Sequence, residues 1–158
     1  MIKNVKIGNG VLDIVAQAFE GCKFLENVII SEGVRFIGSS AFEDCDSLIS
    51  VIIPKSVKHI GESAFRYCHS LTSVTIADGV EEIAKNTFVL CTSLIDVSIP
   101  HSILTIGESA FNGCNYLTNV DIPEGVAEIG PAAFAACFSL EKVIIPQSVR
   151  KIGDHAFS

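Results

Sequence analysis

Apolar residues return along this chain at a fixed interval of 23 positions. Phenylalanine falls at Phe19, Phe42, Phe65, Phe88, Phe111, Phe134 and Phe157, with no insertion or deletion between copies. Cysteine follows three residues later, from Cys22 to Cys137, and leucine three after that, from Leu25 to Leu140. Valine then comes at Val28 and its counterparts, isoleucine at Ile30 and its counterparts, and a second apolar pair such as Val34 and Ile37 closes each unit. Polar residues fill most of the gaps. An internal period of this length signals a repeat architecture, in which each unit is too small to bury its own apolar face and must stack on its neighbours. If all coils share one perimeter, every apolar position lies over its counterpart one rung away, about 4.8 Å if the rungs pair as strands.

Two shorter periods sit inside the unit. Phe, Cys and Leu are three apart, which predicts a short helical or 3-10 turn; Val-x-Ile is two apart, which predicts a short parallel strand. Proline follows the strand at Pro54, Pro100, Pro123 and Pro146 and is expected to end the pairing there. Gly or Ser two residues further on marks a turn. The chain reads as one domain, 1–158: a partial N-terminal repeat over 1–18, six repeats over 19–156 and a remnant at 157–158.

The unit Ile60-Gly61-Glu62-Ser63-Ala64-Phe65-Arg66-Tyr67-Cys68-His69-Ser70-Leu71-Thr72-Ser73-Val74-Thr75-Ile76 resembles the BspA-type, or Treponema pallidum type, leucine-rich repeat. The resemblance spans essentially the whole chain. It implies an α/β repeat solenoid, a right-handed coil with one short parallel strand and one short helical turn per 23 residues, and strands lining a concave face. It also implies membership among surface proteins that take part in adhesion. Four positions depart from the pattern: Ala84 stands for Gly and Thr87 for Ala in one unit, so the coil entering Phe88 is expected to be distorted, and Ser31 and Ala77 stand for Pro.

In L-x-x-V-x-I the residues beside Val point away from the core and line the sheet. There the unit stops repeating. The residue before Val is Asn27, Ser50, Ser73, Asp96, Asn119 or Lys142, and the one after it is Ile29, Ile52, Thr75, Ser98, Asp121 or Ile144. With Ile49 from the adjoining position, these are the candidate ligand-binding residues. Ile29, Ile49 and Ile52 predict an exposed apolar patch on the early coils, and Asp96 and Asp121 an acidic middle.

Composition narrows the function classes. Hydrophobic residues make up 49% of the chain, yet no apolar run approaches the roughly 20 residues of a membrane span, so no membrane insertion is expected. The start, Met1-Ile2-Lys3-Asn4-Val5-Lys6-Ile7-Gly8, alternates apolar and polar residues and does not read as a secretory signal. The compartment is therefore open from the residues alone, and the resemblance implies the cell surface or secretion. A net charge of −7 with scattered bases opposes nucleic acid as a partner.

The six cysteines share one ladder position, which suits buried thiols; disulfides between rungs are a second reading, and the absence of a C-x-x-C pair leaves little for a metal. His59, His69, His101 and His155 fall at four different places in the unit, so no catalytic residue, metal site or cofactor is predicted. Solenoids normally finish on a capping repeat, whereas this one stops directly after the core position Phe157. The expectation is a non-catalytic scaffold that binds a protein partner through its concave sheet. The alternative is a structural spacer that self-assembles as a homo-oligomer through uncapped solenoid ends.

Overall fold

The computed structural model describes residues 1–158 as seven successive coils of a parallel β-solenoid. Each coil contributes two strands: β1 (Asn4–Ile7) and β2 (Asp13–Ile14), β3 (Asn27–Ile30) and β4 (Phe36–Ile37), β5 (Ser50–Ile53) and β6 (His59–Ile60). The later coils add β7 (Ser73–Ile76) and β8 (Glu82–Ile83), β9 (Asp96–Ser98) and β10 (Thr105–Ile106), β11 (Asn119–Asp121) and β12 (Glu128–Ile129), β13 (Lys142–Ile144) and β14 (Lys151–Ile152). Registers run one full unit apart, Val5 opposite Val28 and Val51 opposite Val74. Each ladder residue thus lies over its own kind, and one continuous core of Phe, Cys, Leu, Val and Ile runs through the stack.

The helical turn expected over Phe, Cys and Leu does not form. That arc is a chain of tight turns containing no helix. Two residues before and after each Phe the backbone is left-handed: Ser40 and Asp44 (φ 54° and 57°), Ser63 and Tyr67 (58° and 60°), Asn86 and Leu90 (59° and 55°). A left-handed residue cannot continue a right-handed helix, so each turn stops after one i→i−3 bond, such as Cys68 N to Phe65 O. The intervening N–H groups are used between coils: Phe42 donates to Ala64 O and Phe88 to Ala110 O, both 2.8 Å. A helix would consume every donor internally and leave none to hold the next coil. The three-residue spacing is real; its element is a turn array, and each coil has a second, two-residue strand at Val-x-x-Ile that the spacing alone did not reveal.

Proline sets how far the main strands pair. At the two units without it, pairing with the preceding strand covers four residues, β1 with β3 before Ser31 and β5 with β7 before Ala77, and Ala77 N donates to Ile53 O at 3.0 Å. Where Pro54 follows, β3 and β5 pair only at Asn27–Ser50; where Pro100 follows, β7 and β9 pair over three residues. Proline has no N–H to give the preceding coil. The main ladder is a five-stranded sheet, β1-β3-β5-β7-β9, and a two-stranded sheet, β11-β13.

The second ladder is also divided, into β2-β4-β6 and β8-β10-β12-β14. The division falls at Ala84. At Gly61 an added Cβ would lie 2.4 Å from Ser39 N of the coil before, and at Gly130 2.6 Å from Glu108 N, distances no carbon tolerates. Ala84 carries that carbon at the equivalent position, so its coil stands off and β6 and β8 do not pair. Thr87, the companion departure, is fully buried and its hydroxyl donates to Ala84 O at 2.7 Å, while the neighbouring Phe65–Phe88 ring spacing, 5.5 Å, is the widest of the stack. The distortion expected at this coil is present. Gly61→Ala should open a second division between β4 and β6 and lower stability by about 1–3 kcal/mol, the usual cost of overpacking. Ala84→Gly should let β6 and β8 pair; protection of the amides near Ile83 in hydrogen exchange, unchanged by that substitution, would count against this cause.

Candidate binding surface

The candidate residues sit where strand alternation puts them. In β3 and β5 the pattern is exposed, buried, exposed, buried, because Val28 and Ile30, like Val51 and Ile53, turn inward. Asn27, Ile29, Ser50, Ile52, Thr75, Asp96, Ser98, Asn119, Asp121, Lys142 and Ile144 are exposed on the strands, Ser73 is half-buried, and Ile49 is exposed just before β5. They form two rows. One runs Lys6, Ile29, Ile52, Thr75, Ser98; the other runs Asn4, Asn27, Ser50, Ser73, Asp96.

The structure brings together eight of the thirteen, from Asn27 to Ser98, on the five-stranded sheet, with Ile49 at its edge just before β5. Asn119, Asp121, Lys142 and Ile144 lie on the separate pair β11 and β13, with Asn119 opposite Lys142 and Asp121 opposite Ile144. The acidic middle is thus split, Asp96 on one side of the break in the ladder and Asp121 on the other. The three isoleucines of the expected apolar patch are exposed, Ile29, Ile49 and Ile52 at 58%, 47% and 67%, and Ile29 and Ile52 line one groove. A groove lined by Asn27, Val28, Ile29, Ile30, Ser50 and Ile52 lies between β3 and β5, where pairing is limited to one residue.

Four further exposed residues were not among the sequence candidates. Lys6 heads the row of Ile29 and Ile52. Ile95 repeats Ile49 two coils on, and Phe24 and Tyr116 replace the serine that precedes Leu in the other units. The signal for the last two was legible: a position that is Ser47, Ser70, Ser93 and Ser139 elsewhere turns aromatic twice.

The thiols form a different feature. All six cysteines are free, and five donate Sγ–H to the carbonyl of the preceding coil's Phe at 3.2–3.3 Å, as Cys68 does to Phe42 O. Burial raises the pKa of Cys45 to about 12 and that of Cys137 to about 11, and raises those of Cys68, Cys91 and Cys114 well above the ordinary thiol value. Thiols held neutral in this way pack; they are poor nucleophiles. Of the histidines, His59 stacks on Phe36 with ring centroids 4.9 Å apart, and the His69 ring lies 6.0 Å from that of Tyr67. No helix is long and apolar enough to cross a membrane.

Six copies of the BspA type leucine rich repeat region match this sequence, over residues 1–103 and 81–158. The chain belongs to the BspA-type leucine-rich repeat family. Solved leucine-rich repeat proteins share the coil. A leucine-rich repeat protein from Eubacterium ventriosum superposes with a TM-score of 0.91 at 25% identity, over 99% of this chain and 42% of that one. One from Bacteroides ovatus gives 0.73 at 29% identity, over 96% of this chain and 45% of that one. A leucine-rich cell surface protein from Faecalibacterium prausnitzii gives 0.50 at 26% identity, over 99% of this chain and 57% of that one. The chain therefore spans less than half the length of the first two of these proteins. No curated protein matches it in sequence. Within this chain, the inward ladder is what repeats from unit to unit, and the outward rows are what changes.

Proposed function

We propose that this chain is a non-catalytic protein-binding scaffold, part of an adhesin-like surface protein, that engages its partner through the exposed face of the main sheet. The observation that carries this reading is the contrast within single strands: Val51 and Ile53 repeat in nearly every unit, whereas Ser50 and Ile52 beside them do not. Three isoleucines facing solvent together are costly for a soluble surface and are the usual mark of a contact site. The likeness to a cell surface protein supports the location, and the sheet is the face that the family resemblance makes concave.

The test starts from cross-linking of the chain to extracts of host cell surfaces and measures affinity for the protein so identified. Ile52→Asp should weaken that affinity at least about tenfold, near 1.4 kcal/mol, and Asp96→Ala by a smaller factor. Lys58→Ala, on the second sheet's side, should leave it unchanged. Equal binding by Ile52→Asp and the parent chain would sink the proposal.

A further inference from the structure

Glycine follows an asparagine or an aspartate at three places, Asn9-Gly10, Asp78-Gly79 and Asn112-Gly113. With no side chain in the way, the glycine nitrogen can approach the side-chain carbonyl carbon of the residue before it and close a five-membered imide. The fold treats the three nitrogens differently. Gly113 is buried and its N–H donates to Ala135 O of the next coil at 2.9 Å, and Gly79 N donates to the Ser102 hydroxyl of the next coil at 3.0 Å. Gly10 lies in no strand and its N–H donates to no group of the chain, while Asn9 and Gly10 are both exposed.

The reason lies one coil on. The position that is Ser102 opposite Gly79 is Gly33 opposite Gly10, so no hydroxyl is there to accept the bond. No side chain fits at that position either, because a Cβ on Gly33 would run into the Asn9 carbonyl oxygen. Asn9 also lines a cavity with Glu32, Arg35, Lys55 and Lys58. The three bases enter none of the chain's ion pairs, so a carboxylate formed in that cavity meets a local excess of positive charge.

We propose that Asn9 is a site of spontaneous deamidation, which turns a neutral side chain into a carboxylate within the cavity of Arg35, Lys55 and Lys58. The Gly10 nitrogen attacks Asn9 Cγ and gives up its proton, the bond from Cγ to the side-chain nitrogen breaks, and ammonia leaves. Water then opens the imide at either carbonyl and leaves aspartate or isoaspartate. One water is consumed and one ammonia released, with no oxidant or reductant. Asn112 keeps its amide, because closing its ring must first break the Gly113–Ala135 hydrogen bond and open a buried stretch of backbone.

The test holds the full chain folded at mildly alkaline pH, samples it over weeks, and maps the conversion of amide to acid by mass spectrometry of its peptides. Deamidation at Asn9 should run at least about tenfold faster than at Asn112. In urea strong enough to unfold the chain the two rates should converge, since both asparagines precede glycine. Gly10→Ala, whose added Cβ has nothing within 4 Å, should slow the reaction at Asn9 and leave the fold intact. Equal rates at the two sites in the folded chain, or an Asn9 no faster than asparagines without a following glycine, overturn the proposal. A difference that persists in urea overturns its structural cause. Asn9→Asp carries the product's charge without the extra backbone carbon of isoaspartate, and its urea midpoint at low salt should be no lower than the parent's. A lower midpoint overturns the placing of the new carboxylate among the three bases.

Discussion

Phe88→Ala is expected to cost about 3–5 kcal/mol, the range for truncating a buried aromatic, against a total of about 5–15 kcal/mol for a typical domain. Phe88 is wholly buried between Phe65 and Phe111, with ring centroids 5.5 and 5.3 Å away and planes within 12°. Deleting the ring removes its burial and two stacked contacts, the latter about 0.5–1.5 kcal/mol each. The coil spacing is held by backbone hydrogen bonds on both sides, so the neighbours cannot close the gap. Phe157→Ala is the control: Phe157 is 39% exposed and stacks on Phe134 alone, and its loss should be less than half as large. Urea unfolding of the two variants decides it. A drop for Phe88→Ala under about 1 kcal/mol would mean that the ladder relaxes freely and that the stack is not what holds the coils.

The second large effect is alkaline. Five thiols keep their protons in the folded chain, Cys45 to about 12 and Cys137 to about 11, with Cys68, Cys91 and Cys114 also raised, burial being the main cause. Once unfolded, they ionise near 9.0. Above that pH the unfolded chain therefore binds fewer protons than the folded one, and stability falls as pH rises. Below pH 9 the thiols contribute no slope. Between pH 9 and the folded values each contributes about 1.4 kcal/mol of loss per pH unit. Acting together they should bring the urea midpoint down steeply over one to two pH units, and Cys91→Ala should flatten the slope by one thiol's share. A midpoint level from pH 8 to 10.5 would contradict the buried neutral ladder.

Most of the fold was legible because the apolar ladder is redundant: the positions of Phe42, Cys45, Leu48, Val51 and Ile53 are each repeated along the chain, and their common inward direction follows from the period alone. The turn arc was misread for a physical reason. A three-residue spacing fits a helix and a run of left-handed turns equally well, and Ser40, Ser63 and Tyr67 give no composition signal for positive φ where glycine would have done so. The consequence of Ala84 for the second ladder was legible only as a coil out of pattern; that it parts two strands depends on the preceding coil's backbone passing so close that an added Cβ would meet it at under 3 Å, which the sequence does not display. On the binding surface, alternation placed all thirteen candidates outward or half-outward, but not the break between β9 and β11 that divides them, nor Phe24 and Tyr116, which lie outside the strand pattern used to choose them.

The two breaks fall at different heights in the stack. The second ladder parts between the coils of β6 and β8, and the main ladder between the coils of β9 and β11. At the first break β5, β7 and β9 run past unbroken, and at the second β8, β10 and β12 do so. Like offset joints in masonry, each weak seam is bridged by the opposite wall. No single plane cuts both sheets, so a crack begun at Ala84 has no straight path across the coil, and the array can flex locally there without coming apart into two halves.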